Sequence, residues 1–503
     1  MAGIETTQAS ANCVPADAGP VVPTTPLVTF LERLQEAALR TYGHDGFDPK
    51  KYVDMALKEE LSRTVEAFQS VTRGGNGSIP RSELEGFMGE YLVGPDKDLV
   101  YAEPVDFVGE PEGFLSKVEN PEVRKWGLEL HLLWKNLSRK VGDQVLERPG
   151  FHTLLPLKNP VIIPGSRFQE VYYWDSYWVI RGLLAGKMYE TAKGIVANLI
   201  SLIDQFGYVL NGARAYYSNR RMPQDTETAS KLSSACEKKH LYREIATTAE
   251  SGWDFSSRWM RDGSDLTTLA TTSVLPVDLN AFILKLELDI VFLASIIGEN
   301  HIVERFNEAS QARKIAINSI FWDTETGQWY DYWLSNSLFA CEGVYKWDSL
   351  NQNKKPFASN FVPLWIDLFN KDKTTVQKTI QSLQSSGLLL PAGIAMTLSN
   401  TGQQWDFPNG WAPLQHIIVE GLTRSGSSEA RSLAQDIARR WIRTNYVVYK
   451  KTGAMYEKYD VEKCGQYGGG GEYVSQTGFG WSNGVVLAFL EEFGWPKDLK
   501  MDC

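Results

Sequence analysis

The chain has 503 residues, 43% hydrophobic and 22% charged, which suits a soluble globular protein with one large core or two to three domains. Its net charge of -10 excludes a nucleic-acid backbone as partner, because such binding requires basic clusters. Cys13, Cys236, Cys341, Cys464 and Cys503 lack zinc-ligand or redox spacing, the six His are dispersed, and no apolar run is long enough to span a bilayer. No metal, no cofactor and no disulfide framework are expected, with a Cys341–Cys464 pair open if the two meet in space.

The first 25 residues lack a basic start and an apolar h-region, so no secretory signal is read and a disordered tail is expected over 1–25. The cytoplasm is then the default compartment, and the sequons at Asn76 and Asn136 matter only if the chain is exported. Order should start near Pro26, where Leu27, Phe30, Leu31, Leu34 and Ala38 fall at helical spacing. Ala56, Leu57 and Leu61 open a helix running toward Phe68, and Gly74 to Gly77 mark a loop. Trp126 to Val141 reads as a helix. Pro156, Pro160 and Pro164 make the stretch from Leu154 to Arg167 extended.

Beyond this point helix follows helix. Ala192, Ile195, Val196, Leu199, Ile203 and Phe206 form one apolar stripe, stopped by Gly207. Leu279, Phe282, Ile283, Leu286, Ile290 and Leu293 form a second, stopped by Gly298. Ala430, Leu433, Ala434, Ile437 and Trp441 form a third. Strand patterns are rare and short, so the class is all-α, built from antiparallel helical hairpins. One region departs from this: between Asn211 and Glu250 the chain is polar and lysine-rich, with no stripe. It reads as a gap in the helical repeat or as a solvated excursion.

Four stretches concentrate chemistry. In Glu250-Ser-Gly-Trp-Asp-Phe-Ser-Ser-Arg258-Trp259, Asp254 stands between two aromatic residues. Apolar surroundings raise a carboxyl pKa, as a general acid requires. The second, Tyr456-Glu457-Lys458-Tyr459-Asp460, leads into four glycines, Gly468 to Gly471, then Glu472 and Tyr473. A glycine run lets backbone approach a ligand or a neighbouring loop closely. Pro164 to Tyr177 and Gln403 to Gln415 each place a Trp-Asp pair where a loop meets a helix. Asp175 and Asp406 can serve there as helix caps or as binding groups.

These stretches resemble the inverting trehalases, and the plant members most. Pro164–Tyr177 and Gln404–Gln415 are similar to the two signature strings of that family, and the likeness runs from about Asp48 to the C-terminus. The resemblance implies an (α/α)6 toroid with a sugar pocket at its loop end, and hydrolysis of α,α-trehalose to two glucose molecules. By position, Asp254 is the expected general acid and Glu457 the general base. Arg167, Trp174, Asp175, Asn211, Arg220, Gly252 and Glu472 are the expected substrate contacts. An inverting pair stands about 6.5–9.5 Å apart, leaving room for the attacking water. The implied partner is a small disaccharide bound by a monomer, in a family that also has secreted and membrane-attached members. Residues 26–503 are expected to form a single catalytic domain.

The chain departs from the family after Arg220. Arg221-Met222 replaces the Ser-Gln of an Arg-Ser-Gln-Pro-Pro string, and Met222-Pro223-Gln224 stands where Arg-Pro-Glu is expected. This implies an internal deletion near 221–226 and a toroid short of one helical pair, so the alternative is a sugar-binding relative with impaired turnover.

Overall fold

The computed structural model describes residues 25–43, 47–75, 77–218, 223–334 and 347–503. Residues 1–24 of the tail expected over 1–25, the Asn76 sequon, Arg220, Arg221-Met222 and Cys341 lie outside them, and Thr25 is ordered as a helix cap. Helix α1 (Pro26–Tyr42) starts where the spacing puts it, with Thr25 as N-cap and Pro26 at the first position. It packs with α2 (Leu61–Ser70) and α3 (Arg81–Tyr91) around Phe30, Leu34, Phe68 and Phe87. Ala56 and Leu57 are not helical: they pair with Leu92 and Val93 in a short antiparallel ladder.

The rest is a ring of helical hairpins. Helix α4 (Pro121–Leu137) begins at an Asn120 cap, five residues before the expected start, and ends before a short strand, Ser138–Val141. Next come α5 (Tyr173–Ala185) and α6 (Tyr189–Phe206). The polar run expected to lack helices holds two, α7 (Pro223–Ser230) and α8 (Ala235–Glu250). The signal for α8 is Ser234 with Glu237, a capping box in which each side chain bonds the other residue's backbone. The ring continues through α9 (Val277–Ile297), α10 (Asn300–Ile320), the 3-10 segment Ala358–Trp365 and α11 (Lys373–Ser385). It ends with α12 (Ala412–Arg424), α13 (Ser428–Thr452) and α14 (Gly480–Phe493). Strands among the described residues are two to four residues long.

The ring closes on itself. Helix α14 packs against α5 and α4, and Gly484 lies so close to Trp178 that a Cβ would sit 2.0 Å from its carbonyl oxygen. Beyond α14, Trp495 pairs with Val118. Cys464 is joined to Cys503, so the chain carries a disulfide where none was expected, and the candidate partner Cys341 is not the one used. These two cysteines are 39 residues apart with no motif between them, so only the fold brings them together.

Burial follows the expected stripe in α13, where Ala430, Leu433, Ala434, Ile437 and Trp441 are all buried. It does not in α9. Its buried face is Val277, Asp278, Ala281, Leu284, Glu287 and Ala294, whereas Leu279, Leu286 and Leu293 are exposed. In α6, likewise, Ala192 and Ile195 are buried but Val196 and Ile203 are exposed.

Candidate active site

Four loops meet at the ends of α5, α8, α12 and α14. Strand Asn409–Trp411 pairs antiparallel with Lys458–Asp460, setting Trp411 opposite Lys458 and bringing Glu457 beside the Gln404 loop. The Asp254 loop is fastened to that same loop by Asp406. This fully buried carboxylate accepts hydrogen bonds from Ser256 Oγ at 2.8 Å, Ser257 N at 2.8 Å, Ser257 Oγ at 2.9 Å and Thr397 Oγ1 at 3.1 Å. Asp406 is thus a clamp and not a helix cap. Trp253, next to Asp254, stacks on Trp405, which stacks on Trp411 at 4.3 Å. Gly252 has φ +76°, a left-handed turn that carries the chain from α8 into Trp253 and Asp254.

Gln404 links the two candidate carboxylates. Its side-chain amide donates to the backbone carbonyl of Asp254, and its oxygen accepts from Lys458 Nζ at 3.0 Å. The same ammonium lies 3.2 Å from Glu457 Oε1, an ion pair without good hydrogen-bond geometry. Glu457 is 1% exposed. Burial raises its pKa above the ordinary carboxyl value, and Lys458 opposes that rise. Tyr473 Oη donates to Glu457 Oε2 at 3.4 Å, and Trp481 Nε1 donates to the Glu457 carbonyl at 2.9 Å.

Two groups sense both carboxylates at once. The Asp175 carboxyl, in the first turn of α5, is pushed up to about 8 by burial and by the charges of Glu457 and Asp254. The Tyr473 hydroxyl is held well above its ordinary value by burial and by the same two charges. Asp254 and Glu457 thus both lie within electrostatic reach of Asp175 and Tyr473. Asp175 stands at the third position of α5, whose N-cap is Tyr172, so it is not the cap residue.

The other expected contacts distribute as follows. Arg167 lies with its guanidinium 4.7 Å from the Tyr473 ring, held by Asp48 at 3.0 Å from Nε and 2.6 Å from Nη2. Trp174 packs edge-on against Trp178 and Phe282, and its indole N–H is buried without a partner among the described residues. Asn211 accepts the backbone N–H of Tyr173 at 3.0 Å, tying its loop to the start of α5. Glu472 is exposed on the glycine loop beside Tyr473. Sequence reasoning missed Asp48, Gln404, Lys458 and Tyr473 as site residues. Three of them sit inside the quoted strings, but Asp48 comes from the N-terminal layer and carries no local signal.

Among the described residues no cluster of His, Cys, Asp and Glu could hold a metal ion, and no helix is long and apolar enough to cross a membrane.

Comparison with known proteins gives the family. The family model described as Trehalase matches residues 44–224 and 222–494, two stretches that abut at the point where the sequence departs from the signature strings. A probable trehalase of Oryza sativa subsp. japonica is 50% identical over 564 residues, covering 97% of this chain and 99% of that protein. A trehalase of Arabidopsis thaliana is 49% identical, covering 97% and 89%, and one of Homo sapiens is 35% identical, covering 89% and 86%. Among solved structures, the neutral trehalase Nth1 of Saccharomyces cerevisiae superposes with a TM-score of 0.51 at 22% identity, over 66% of this chain and 73% of that one. It supports the helical ring of (α/α)6 type. The matched family model and the identity to plant and animal proteins show that this chain belongs to the trehalase family.

Proposed function

We propose that this chain hydrolyses α,α-trehalose to two glucose molecules with inversion, with Asp254 as general acid and Glu457 as general base. The protonated Asp254 carboxyl gives its proton to the glycosidic oxygen as the bond to the anomeric carbon breaks. Water attacks that carbon from the opposite face and gives its proton to the Glu457 carboxylate. One glucose leaves with its configuration kept and the other forms with it inverted.

The observation that carries the assignment is the pair of groups, Asp175 and Tyr473, that feel both charges, with Gln404 and Lys458 linking the two loops. Arg167 and Asp175 supply a fixed cation and a proton-bearing carboxyl, suited to sugar hydroxyls. Trp174 adds an apolar ring and an N–H without a partner among the described residues. The alternative of a sugar binder without turnover has nothing in the comparisons behind it.

Asp254→Asn and Glu457→Gln are each expected to lower kcat by about 10²–10⁴ while calorimetry still detects trehalose binding. Proton NMR of the first turnover should show equal amounts of α- and β-glucose. Full turnover by Asp254→Asn would overturn the assignment of the acid.

A further inference from the structure

The fully buried Lys458 ammonium is shared among acceptors from three segments. Around it lie Gln404 Oε1 at 3.0 Å, the Gly470 carbonyl at 3.4 Å and Glu457 Oε1 at 3.2 Å. The first two contacts have hydrogen-bond geometry, and the third is an ion pair alone. Glu457 Oε1 is therefore buried beside a cation and yet accepts no hydrogen bond among the described residues. Its other carboxylate oxygen accepts from Tyr473.

Gln404 is buried as well, and both ends of its amide are engaged. The oxygen takes Lys458, and the N–H donates to the Asp254 carbonyl. The glycine run fits over this amide. A Cβ on Gly471, at φ +82°, would lie 3.0 Å from Gln404 Cβ and 3.1 Å from its Oε1. Gly471 N donates to the Gly402 carbonyl at 3.0 Å, which docks the run on the Gln404 loop.

A general base sets two conflicting demands. A nearby cation keeps it ionised, but a direct hydrogen bond from that cation occupies the lone pair that must take the proton and weakens the base. An ammonium tied to a neutral amide meets both. We propose that Gln404 is a positioning residue for the reaction: its oxygen holds the Lys458 ammonium off the Glu457 lone pairs, leaving Oε1 to take the proton of the attacking water, and its N–H fixes the Asp254 loop. The inference rests on the roles given above to Asp254 and Glu457. An ionised carboxylate at position 404 would accept but not donate, so it does not replace the amide.

Two variants of the full chain should move the base in opposite directions. In Gln404→Met the ammonium loses its amide acceptor and bonds Glu457 directly. The acid limb of kcat/KM should then fall by about one pH unit, and kcat by about tenfold or more, with KM within about threefold of the parent. In Gln404→Glu a second carboxylate competes for Lys458, so the same limb should rise by about one unit. The titratable groups facing Glu457 stay in place in both: Lys458 beside it, Tyr473 from the glycine loop with Arg167 behind its ring, and Asp175 from α5. A role in packing alone would lower Tm and leave the limb where it is. Limbs that coincide in the three proteins, or that move the same way in both variants, would overturn the proposal, as would a loss confined to KM. Asp254→Asn and Glu457→Gln, assayed alongside, separate two kinds of failure. If both lose turnover while the Gln404 variants keep the parent's profile, this inference alone falls. If either keeps full turnover, the assignment beneath it falls too.

Discussion

Asp175 holds a carboxyl where water cannot solvate its charge, and the cost appears as a pH dependence. Its folded pKa of about 8 lies above the ordinary 3.8, so its contribution to stability is complete below about pH 4 and is lost as pH rises through 8. Asp175→Asn removes a group that resists ionising and keeps the shape. The variant is expected to be more stable by a few kcal/mol at pH 8 and nearly unchanged at pH 4, while trehalose binds less well. Urea unfolding at the two pH values checks this, and a stability gain independent of pH would refute the cause. Lys458 gives a second prediction. Its ammonium opposes the rise that burial imposes on Glu457, so Lys458→Met should move the acid limb of the kcat/KM profile to higher pH. At residue scale the sequence was informative where the chemistry is local. Asp254 and Glu457 stand out in the letters because each is a carboxylate among aromatics and because the strings around them resemble those of the family. Asp48 was not, because a residue that holds Arg167 from 119 positions away leaves no mark on its neighbours.

Arg258 shows how one side chain fixes the register of several elements. It donates to Asp278 at 2.7 Å from both terminal nitrogens, and to Asp331 at 2.7 and 2.9 Å, all three side chains being buried. This ties the Asp254 loop to the first turn of α9. Arg258→Met leaves two buried carboxylates without their cation, and a loss of about 3–5 kcal/mol is expected. A calorimetric melt checks it, and a shift of Tm within scatter would mean the pair is dispensable. Helix existence was readable where a 3.6-residue stripe repeats, as in α6, α9 and α13, and not in the polar run that holds α7 and α8. Helix facing was less so. The stripes of α6 and α9 were read as core because apolar residues at helical spacing normally are. In α8 the capping box was present in the letters, but the polar run around it masked the short buried face of Leu241, Ile245 and Thr248.

At the scale of the molecule, two apolar cores share one polar junction. The N-terminal core of α1, α2 and α3 is distinct from the core of the ring. Between them Lys50 Nζ lies 2.6 Å from Asp54 and 2.9 Å from Glu170, and Arg214 Nε lies 2.8 Å from Glu170. Tyr216 Oη donates to Asp54 at 2.7 Å. Close to this junction Asp48 holds Arg167, so the N-terminal layer reaches the candidate site. Burial alone would raise the Glu170 pKa, but Lys50 and Arg214 bring it down to about 2. A folded pKa below the ordinary value contributes stability above about pH 4.5 that is lost as pH falls toward 2. The shift corresponds to a few kcal/mol, so acid should loosen the junction before it unfolds the ring, whose apolar core does not titrate. Hydrogen exchange between pH 5 and 2 should show α1 to α3 losing protection while α12 to α14 keep theirs. Lys50→Met leaves Glu170 with Arg214 alone and should move that loss to higher pH. Simultaneous loss in both regions, at the same pH in the variant and the parent, would mean that the junction does not govern the attachment of the N-terminal core.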